Sequence, residues 1–259
     1  MATIEDLFGV KGKVGVVTGG SRGIGFMIAE TLVDNGVRVY ITARKAEACD
    51  AAAEALARRG ECISIPADMT DLEEVHRFAG MIGEREDRLD ILVNNAGATW
   101  GAPIDEFPES GFDKVMDVNV KAPFFLTQAL LPQLRTSGTA EDPARVIMIG
   151  SIDGIAVSST DNFPYGDSKA GVHMLARHLS STLVGEHITV NAIAPGPFES
   201  KMMAFVLDDP AARAAIEAGV PRGRIGSPED IGGTVIFLSS RAGAYLTGTV
   251  IPVDGGLRT

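Results

Sequence analysis

The sequence has few basic residues for its size, and this shortage excludes one large class of function. Lys and Arg number 23 against 34 Asp and Glu in a chain of 259 residues, which gives a formal net charge of −11. A general nucleic-acid-binding protein needs a basic surface that this balance does not supply. We therefore expect no nucleic-acid partner.

Long apolar runs, cysteine frameworks and metal-ligand spacings are also missing. No apolar run approaches the roughly 18 residues that span a bilayer, and the acidic N-terminal residues do not resemble a secretory signal. The two cysteines, Cys49 and Cys62, fit no disulfide framework or zinc spacing, and the four histidines fit no metal site. We expect a cytoplasmic protein with reduced thiols, no membrane contact and no catalytic metal.

What the sequence does contain is a regular alternation of β-branched runs with amphipathic stretches. The predicted strands are 13–18, 37–42, 62–66, 89–93, 145–149, 188–193 and 250–253. The predicted helices are 23–35, 47–59, 71–86, 110–120, 123–134, 164–184 and 228–239. This alternation predicts a single α/β domain over residues 1–259, with a Rossmann-type doubly wound parallel sheet of about seven strands and helices on both faces.

The segment 195–224 interrupts this rhythm. A long insertion after the carboxyl end of a strand is typical of a substrate lid, and we predict a lid here. The alternative is a surface excursion that covers the edge of the sheet.

A glycine-rich turn joins the first predicted strand to the first predicted helix. Glycine permits positive φ and lets the backbone approach a pyrophosphate, which the N-terminus of the helix then stabilises. The spacing is Gly-x3-Gly-x-Gly, which differs from the usual Gly-x-Gly-x-x-Gly fingerprint. We assign the following residues of this turn to cofactor binding: Thr18, Gly19, Ser21, Arg22, Gly23, Ile24 and Gly25.

The residues after the next strands indicate which cofactor binds. NAD-binding sheets usually carry an acidic residue at the end of the second strand, whereas this strand is followed by Arg44. Arg44 and Arg22 would present two guanidinium groups to a 2′-phosphate, which favours NADP(H). After the third strand, Asp68 could accept a hydrogen bond from the adenine amino group or cap a helix, and we also assign the adjacent Met69 to cofactor binding. After the fourth strand, the small and amide residues allow close approach to the cofactor ribose, and we assign Asn95, Ala96 and Gly97 to it.

Four further residues predict an acid–base centre. Tyr165 and Lys169 are four residues apart, so they share one face of a helix. Free tyrosine has a pKa of about 10, and a neighbouring ammonium group lowers it. Ser151 follows a predicted strand, where its hydroxyl can polarise a carbonyl oxygen. Asn119 is a weak helix former within a predicted helix, which suits a buried structural or catalytic amide. Taken singly, each of these residues has a structural explanation; their occurrence together and in order favours catalysis.

The complete set of motifs resembles the short-chain dehydrogenase/reductase family. The resemblance runs from about Gly12 to Gly256 and includes the glycine turn, Asp68, the run 94–97, Asn119, Ser151, Tyr165-x-x-Ser168-Lys169 and Pro195-Gly196. It implies that Tyr165 is the general acid or base and that Ser151 orients the carbonyl group. It also implies that Lys169 binds the nicotinamide ribose and lowers the pKa of Tyr165, while Asn119 supports a water-linked proton relay.

The same resemblance extends the list of cofactor contacts and adds an oligomeric state. Besides Tyr165 and Lys169, further contacts to the cofactor are implied for Pro195, Gly196, Phe198 and Ser200. Hydride transfer between the nicotinamide and a carbonyl carbon, and assembly as a homotetramer, are also implied. Asp167, between Tyr165 and Lys169, is unusual for the family.

Two subgroups of the family are similar to this chain. Its motifs resemble gluconate 5-dehydrogenases and rhamnolipid-linked 3-oxoacyl-(acyl-carrier-protein) reductases, and the run 99–101 favours the second group. We therefore expect NADPH-dependent reduction of a 3-oxoacyl thioester or a small carbonyl compound. The candidate substrate residues, besides Ser151, are Trp100, Ile152, Phe163 and Met202, with Phe198 as a further apolar candidate.

Two alternatives remain open. A polyol or keto-sugar oxidoreductase would use polar residues near the site, and Asp153, Asp161 and Asn162 are available for that role. A non-catalytic binding protein on the same fold is the other alternative, and the four intact catalytic candidates disfavour it. Docking of an acidic carrier protein to a chain of net charge −11 needs a local basic patch, and only Arg222 and Arg224 are close together in the segment 195–224.

Overall fold

The computed structural model describes residues 2–158, 160–199 and 209–258, and within them one parallel sheet forms the centre of the molecule. The strands are β1 (Val14–Thr18), β2 (Arg38–Thr42), β3 (Cys62–Ser64), β4 (Ile91–Asn94), β5 (Ala144–Ile149), β6 (Ile188–Pro195) and β7 (Val250–Val253). The helices of the described residues are α1 (Ile4–Phe8), α2 (Gly23–Asp34), α3 (Ala46–Ala57), α4 (Leu72–Gly83), α5 (Glu109–Met116), α6 (Ala122–Ala129), α7 (Leu131–Ser137), α8 (Phe163–Leu183), α9 (Pro210–Gly219) and α10 (Pro228–Ser239).

The strand order places a crevice at the centre of the sheet. The order is β3-β2-β1-β4-β5-β6-β7 and all neighbours are parallel, which confirms the predicted sheet of seven strands. The direction of winding reverses between β1 and β4. Ligands of doubly wound sheets bind outside the carboxyl ends of the strands at such a reversal. The fold therefore directs attention to the residues that follow Thr18 and Asn94.

The core lies on both faces of this sheet, because consecutive strand residues point to opposite sides. Val16 packs with Phe78 and Leu126 in one apolar cluster, and Val17 packs with Ile28 and Val235 in the other. Strands buried on both faces are continuous apolar runs, which is why the sequence made them easy to recognise. None of the helices in the described residues is long and apolar enough to cross a membrane.

The helix predicted over 123–134 is in fact two helices. The first ends at Ala129 and the second begins at Leu131, so the single-helix prediction was wrong. Pro132 has no backbone N–H to donate to the carbonyl of Gln128, and its ring crowds that carbonyl. Leu130 therefore serves as the junction between the two helices.

A buried arginine joins β5 to the end of α10. The side chain of Arg145 is almost fully buried, and its guanidinium donates to the carbonyl oxygens of Leu238 and Ser240, both at 2.9 Å. The same group forms an ion pair with Asp142 at 2.9 Å. Burial lowers the pKa of Arg145, and the carbonyl groups at the end of the helix compensate for the lost hydration.

Candidate active site

The glycine turn leaves the end of β1 in a conformation that requires glycine. Gly19 and Gly23 have φ angles of +67° and +54°, which other residues rarely adopt. The first residue of α2 is Gly23, and its N-cap residue Arg22 makes no side-chain capping bond. Backbone N–H groups at the start of α2 are therefore available to an anion, as a pyrophosphate-binding turn requires.

Thr18 and Asn95 attach this turn to the end of β4. The hydroxyl of Thr18 accepts hydrogen bonds from the backbone N–H groups of Asn95 and Ala96, both at 2.9 Å. The side-chain amide of Asn95 donates to the carbonyl of Thr18 at 2.8 Å. Both side chains were predicted to contact the cofactor, and the structure uses them to shape the crevice that would receive it.

Two exposed arginines flank the turn. The N–H of Gly20 donates to the carbonyl of Thr42 at 3.2 Å, so the end of β2 and the following Arg44 lie beside the segment that carries Arg22. Within the described ranges, neither Arg22 nor Arg44 forms an ion pair. Two guanidinium groups without an acidic partner fit a phosphate group, so the donor set of this corner suits a dinucleotide with a 2′-phosphate.

Asp68 is held in place at the neighbouring strand end. One carboxylate oxygen accepts from the N–H and from the hydroxyl of Thr70, at 3.0 and 2.9 Å. These bonds orient the carboxylate and leave its second oxygen for an adenine amino group. Met69 beside it is buried, and Gly97 after β4 is exposed.

Asn119 lies in a π-helical turn, Asp117–Lys121, between α5 and α6. Its amide oxygen accepts from the N–H of Ala98 at 2.8 Å, and its amide nitrogen donates to the carbonyl of Ala98 and to the hydroxyl of Ser168, both at 2.9 Å. Single π-helical turns inside α-helices are frequent at functional sites. The turn directs the buried amide of Asn119 toward the residues that follow β4. This agrees with the expectation of a buried amide that we drew from its weak helix propensity.

The other three catalytic candidates meet at the same edge of the sheet. The ammonium nitrogen of Lys169 is 5.6 Å from the ring centroid of Tyr165 and donates to the carbonyl of Ile149 at 2.8 Å. The hydroxyl of Ser151 lies near enough to the phenol of Tyr165 to lower its pKa. A Cβ atom on Gly97 would lie 3.4 Å from the amide oxygen of Asn119 and 3.6 Å from Nζ of Lys169. All four candidates therefore line one crevice.

The pKa values of the two central groups differ from the sequence expectation. Burial lowers the pKa of Lys169 to about 8, so this side chain still carries a proton at neutral pH. Burial raises the pKa of Tyr165 to about 12; the carboxylate of Asp153 raises it as well, and the hydrogen bond from Ser151 lowers it. We expected Lys169 to lower the pKa of Tyr165. The pKa is instead raised, because removal of the phenol from water is the largest effect.

Asp153 should therefore control the pH range of the reaction. Replacing Asp153 by Asn removes a negative charge near Tyr165, and the pKa of the phenol should fall. A general acid works only while it holds its proton, so the rate of ketone reduction should decline at a lower pH in this variant than in the wild type. The pH dependence of kcat, followed up to about pH 12 so that the alkaline limb set by Tyr165 is included, tests this expectation. An unchanged or upward-shifted alkaline limb would contradict it.

The predicted substrate residues lie in different environments. Trp100 is partly exposed, packs over Gly111 and has Nζ of Lys114 5.5 Å from its ring centroid. Phe163 is also partly exposed, and its ring meets that of Phe107 edge to face at 6.0 Å. Ile152 is buried in the short 3₁₀ turn after Ser151.

The segment 195–224 is described only at its two ends. Gly196 continues the pairing of β6 by donating to the carbonyl of Val253 at 3.0 Å, directly after Pro195. Phe198 was predicted as a pocket or cofactor residue, and its side chain packs in the core with its ring against Gly226. Ser200 and Met202 lie outside the described residues.

The sequence suggested Arg222 and Arg224 as a basic pair, and an ion pair neutralises the charge of one of them. The guanidinium of Arg224 contacts the carboxylate of Asp230 at 2.6 Å, which leaves Arg222 as the member of the pair without a carboxylate partner among the described residues. A cavity of about 420 Å³ lies beside them, lined also by Phe198 and Asp254. The positive charge available here to an acidic carrier protein is therefore smaller than the presence of two arginines in the sequence suggested.

Sequence reasoning assigned no role to two buried residues of the site. Ser168 accepts from Asn119 and donates to the carbonyl of Tyr165 at 2.7 Å, which links these two residues. His173 is buried one helical turn after Lys169. Its position four residues after Lys169 is a signal that places both on one face of α8.

Comparison with known proteins agrees with this geometry. A family model described as enoyl-(acyl carrier protein) reductase matches residues 19–258. Together with the motifs and the fold, this match shows that the chain belongs to the short-chain dehydrogenase/reductase family.

The chain is 51% identical to the rhamnolipids biosynthesis 3-oxoacyl-(acyl-carrier-protein) reductase of Pseudomonas aeruginosa, over 96% of this chain and 97% of that protein. It is 33% identical to the 5-keto-D-gluconate 5-reductase of Escherichia coli K12, over 98% of both chains. A solved structure described as the Pseudomonas aeruginosa RhlG/NADP active-site complex superposes with a TM-score of 0.95 at 50% identity, covering 98% of this chain and 99% of that one.

Proposed function

We propose that this protein uses NADPH to reduce a ketone to a secondary alcohol, and that the ketone is a 3-oxoacyl thioester. The observation that carries the proposal is the meeting of Asn119, Ser151, Tyr165 and Lys169 in one crevice beside the glycine turn. NADPH supplies the hydride for such a reaction. The glycine turn would hold its pyrophosphate, and Arg22 and Arg44 its 2′-phosphate.

The residues of the crevice divide the remaining work. Ser151 donates a hydrogen bond that polarises the ketone oxygen, and the phenol of Tyr165 supplies the proton for that oxygen. The high pKa of Tyr165 keeps this proton on the phenol at neutral pH, which suits the reductive direction. The ammonium group of Lys169 would bind the nicotinamide ribose, and its positive charge stabilises negative charge on the phenol. Asn119 anchors the proton relay behind Lys169.

The thioester substrate is supported by two observations. The relative with 51% identity is named a 3-oxoacyl-(acyl-carrier-protein) reductase, whereas the keto-gluconate reductase is 33% identical. A cleft of about 450 Å³ has an apolar wall of Ile104, Phe107, Phe112 and Phe163, and it is lined also by Glu109 and Asp113. Apolar walls suit an acyl chain better than a sugar. A keto-sugar substrate remains the second candidate, because the half-buried carboxylate of Asp153 lies near Tyr165.

Turnover distinguishes these candidates directly. Purified protein is assayed for oxidation of NADPH with 3-oxoacyl thioesters of coenzyme A and of an acyl carrier protein, and with 5-keto-gluconate. Our proposal predicts the largest kcat/KM for a 3-oxoacyl thioester. A larger kcat/KM for 5-keto-gluconate than for the thioesters would show that the protein is a keto-sugar reductase. NADPH binding without turnover of any carbonyl compound would support a non-catalytic protein.

Three further features belong to the proposal. We propose that the protein works in the cytoplasm, where Cys49 and Cys62, both free and buried, stay reduced. We propose a homotetramer, supported by exposed apolar residues such as Phe124 on α6 and Met174 on the long helix α8. We also propose that residues 195–224 form a substrate lid. A β-bridge between Phe198 and Gly226 holds the start of this segment beside the residues that follow it.

A further inference from the structure

His173 lies directly beneath the turn that carries Ser151. Its side chain is 5% exposed and belongs to α8. A Cβ atom on Gly150 would overlap Nε2 of His173 and lie 2.6 Å from Cδ2. The edge of the imidazole therefore packs against the α-carbon of Gly150, the residue immediately before Ser151.

The other side of the imidazole reaches the far end of the same turn. The backbone of Gly154 lies near enough to the imidazole to raise the pKa of His173, while Nε2 has no partner among the described residues. Burial lowers the pKa of His173 to about 4, so the ring is neutral at physiological pH and has one N–H to donate. Nε2 is buried without a hydrogen-bond partner, so the hydrogen bonds of the ring alone do not explain why His173 lies there.

The turn between these two contacts is a tight 3₁₀ turn, Ile152–Gly154, with Ser151 at its start. The N–H of Asp153 donates to the hydroxyl oxygen of Ser151 at 3.1 Å, and the N–H of Gly154 donates to the carbonyl of Ser151 at 3.0 Å. These bonds couple the direction of the Ser151 hydroxyl to the position of the turn. A displacement at Gly150 or Gly154 would therefore move the hydroxyl that contacts Tyr165.

We infer that His173 is a positioning residue that clamps the turn at Gly150 and Gly154 and so aims the hydroxyl of Ser151 at the reacting oxygen. This inference rests on the proposed reductase function, although the clamp itself is a property of the fold. His173 contacts neither the reacting atoms nor the cofactor in this role. It acts through Ser151.

Replacement of His173 by Phe tests the kinetic consequence. Phe fills the volume but has no N–H for Gly154, and a displacement of about 1 Å near a reacting group lowers kcat by up to about 100-fold. We expect a loss of kcat with little change in the KM of the ketone or in the dissociation constant of NADPH. His173→Gln keeps an N–H donor and should recover part of the loss. His178→Phe, an exposed position on the same helix, is the matched control and should behave as the wild type.

A reciprocal pair tests the packing contact. Gly150→Ala should strongly reduce kcat, because the new methyl group overlaps the imidazole. Combining it with His173→Ala removes the obstacle and vacates space for the methyl group. The double variant should then be more active than Gly150→Ala alone, which is the coupling expected of two residues in contact. An additive loss in the double variant would count against the clamp.

Hydrogen exchange gives a readout that does not need turnover. The amides of Asp153, Gly154, Ile155 and Ala156 all donate within this turn. In His173→Phe their exchange should accelerate, while exchange of the amides in β5 stays unchanged. Unchanged exchange together with wild-type kcat would overturn the inference, even if the wild type proves to be a reductase. If the wild type reduces no carbonyl compound, the proposed function fails, and exchange alone decides whether His173 holds the turn.

Discussion

Replacing Tyr165 by Phe should lower the rate of NADPH-dependent ketone reduction by about 10²- to 10⁴-fold, the range that a positioned general acid contributes. The change removes one hydroxyl group and preserves the ring that Lys169 approaches at 5.6 Å. The variant should therefore fold normally and bind NADPH with the wild-type dissociation constant. The loss should appear in kcat, because the phenol donates its proton only as the ketone is reduced.

Tyr245→Phe is the control for this experiment. Tyr245 is fully exposed and follows the short turn after α10, so loss of its hydroxyl should leave kcat and the unfolding temperature unchanged. Stopped-flow absorbance of NADPH measures both variants under single-turnover conditions. If Tyr165→Phe retains the wild-type rate, the phenol is not the proton donor and the proposed function loses its chemistry.

Removal of Arg22 and Arg44 should change the cofactor preference of the protein. A hydrogen bond to a charged group contributes about 1.5–3 kcal/mol, so each Arg→Ala change should weaken NADPH binding by about 10- to 100-fold. NADH lacks the 2′-phosphate, and its dissociation constant should change little. The double variant should therefore bind the two cofactors with similar affinity. Equilibrium titration of nicotinamide fluorescence measures both constants.

Arg58→Ala separates this local effect from the loss of positive charge as such. Arg58 lies at the opposite end of α3 from Arg44, about 18 Å away for a helix of this length. Its removal lowers the net charge by the same amount as each of the other changes. Equal weakening of NADPH binding in Arg58→Ala, or equal weakening of NADH binding in the double variant, would show that the two arginines do not recognise the 2′-phosphate.

Some elements follow from local signals alone. Helix α10 begins and ends where the sequence predicted, because Pro228 occupies its first position and Ser227 forms a capping box with Asp230. The break between α6 and α7 was missed because apolar periodicity continues through Leu130, although Pro132 carried the signal. Likewise, the residue types at positions 119, 151, 165 and 169 predicted a common site, and the sheet brings them together.

The sequence by itself determined the alternation of strands and helices, the glycine turn, the absence of acidic charge after β2 and the order of the reacting groups. Each of these features depends only on the identity and spacing of residues that are close in the sequence. Only the tertiary structure decided that the pKa of Tyr165 is raised, that the ring of Phe198 belongs to the core, and that His173 lies under Ser151. These properties depend on which distant segments exclude water and fill space around a side chain, and no local pattern encodes that arrangement.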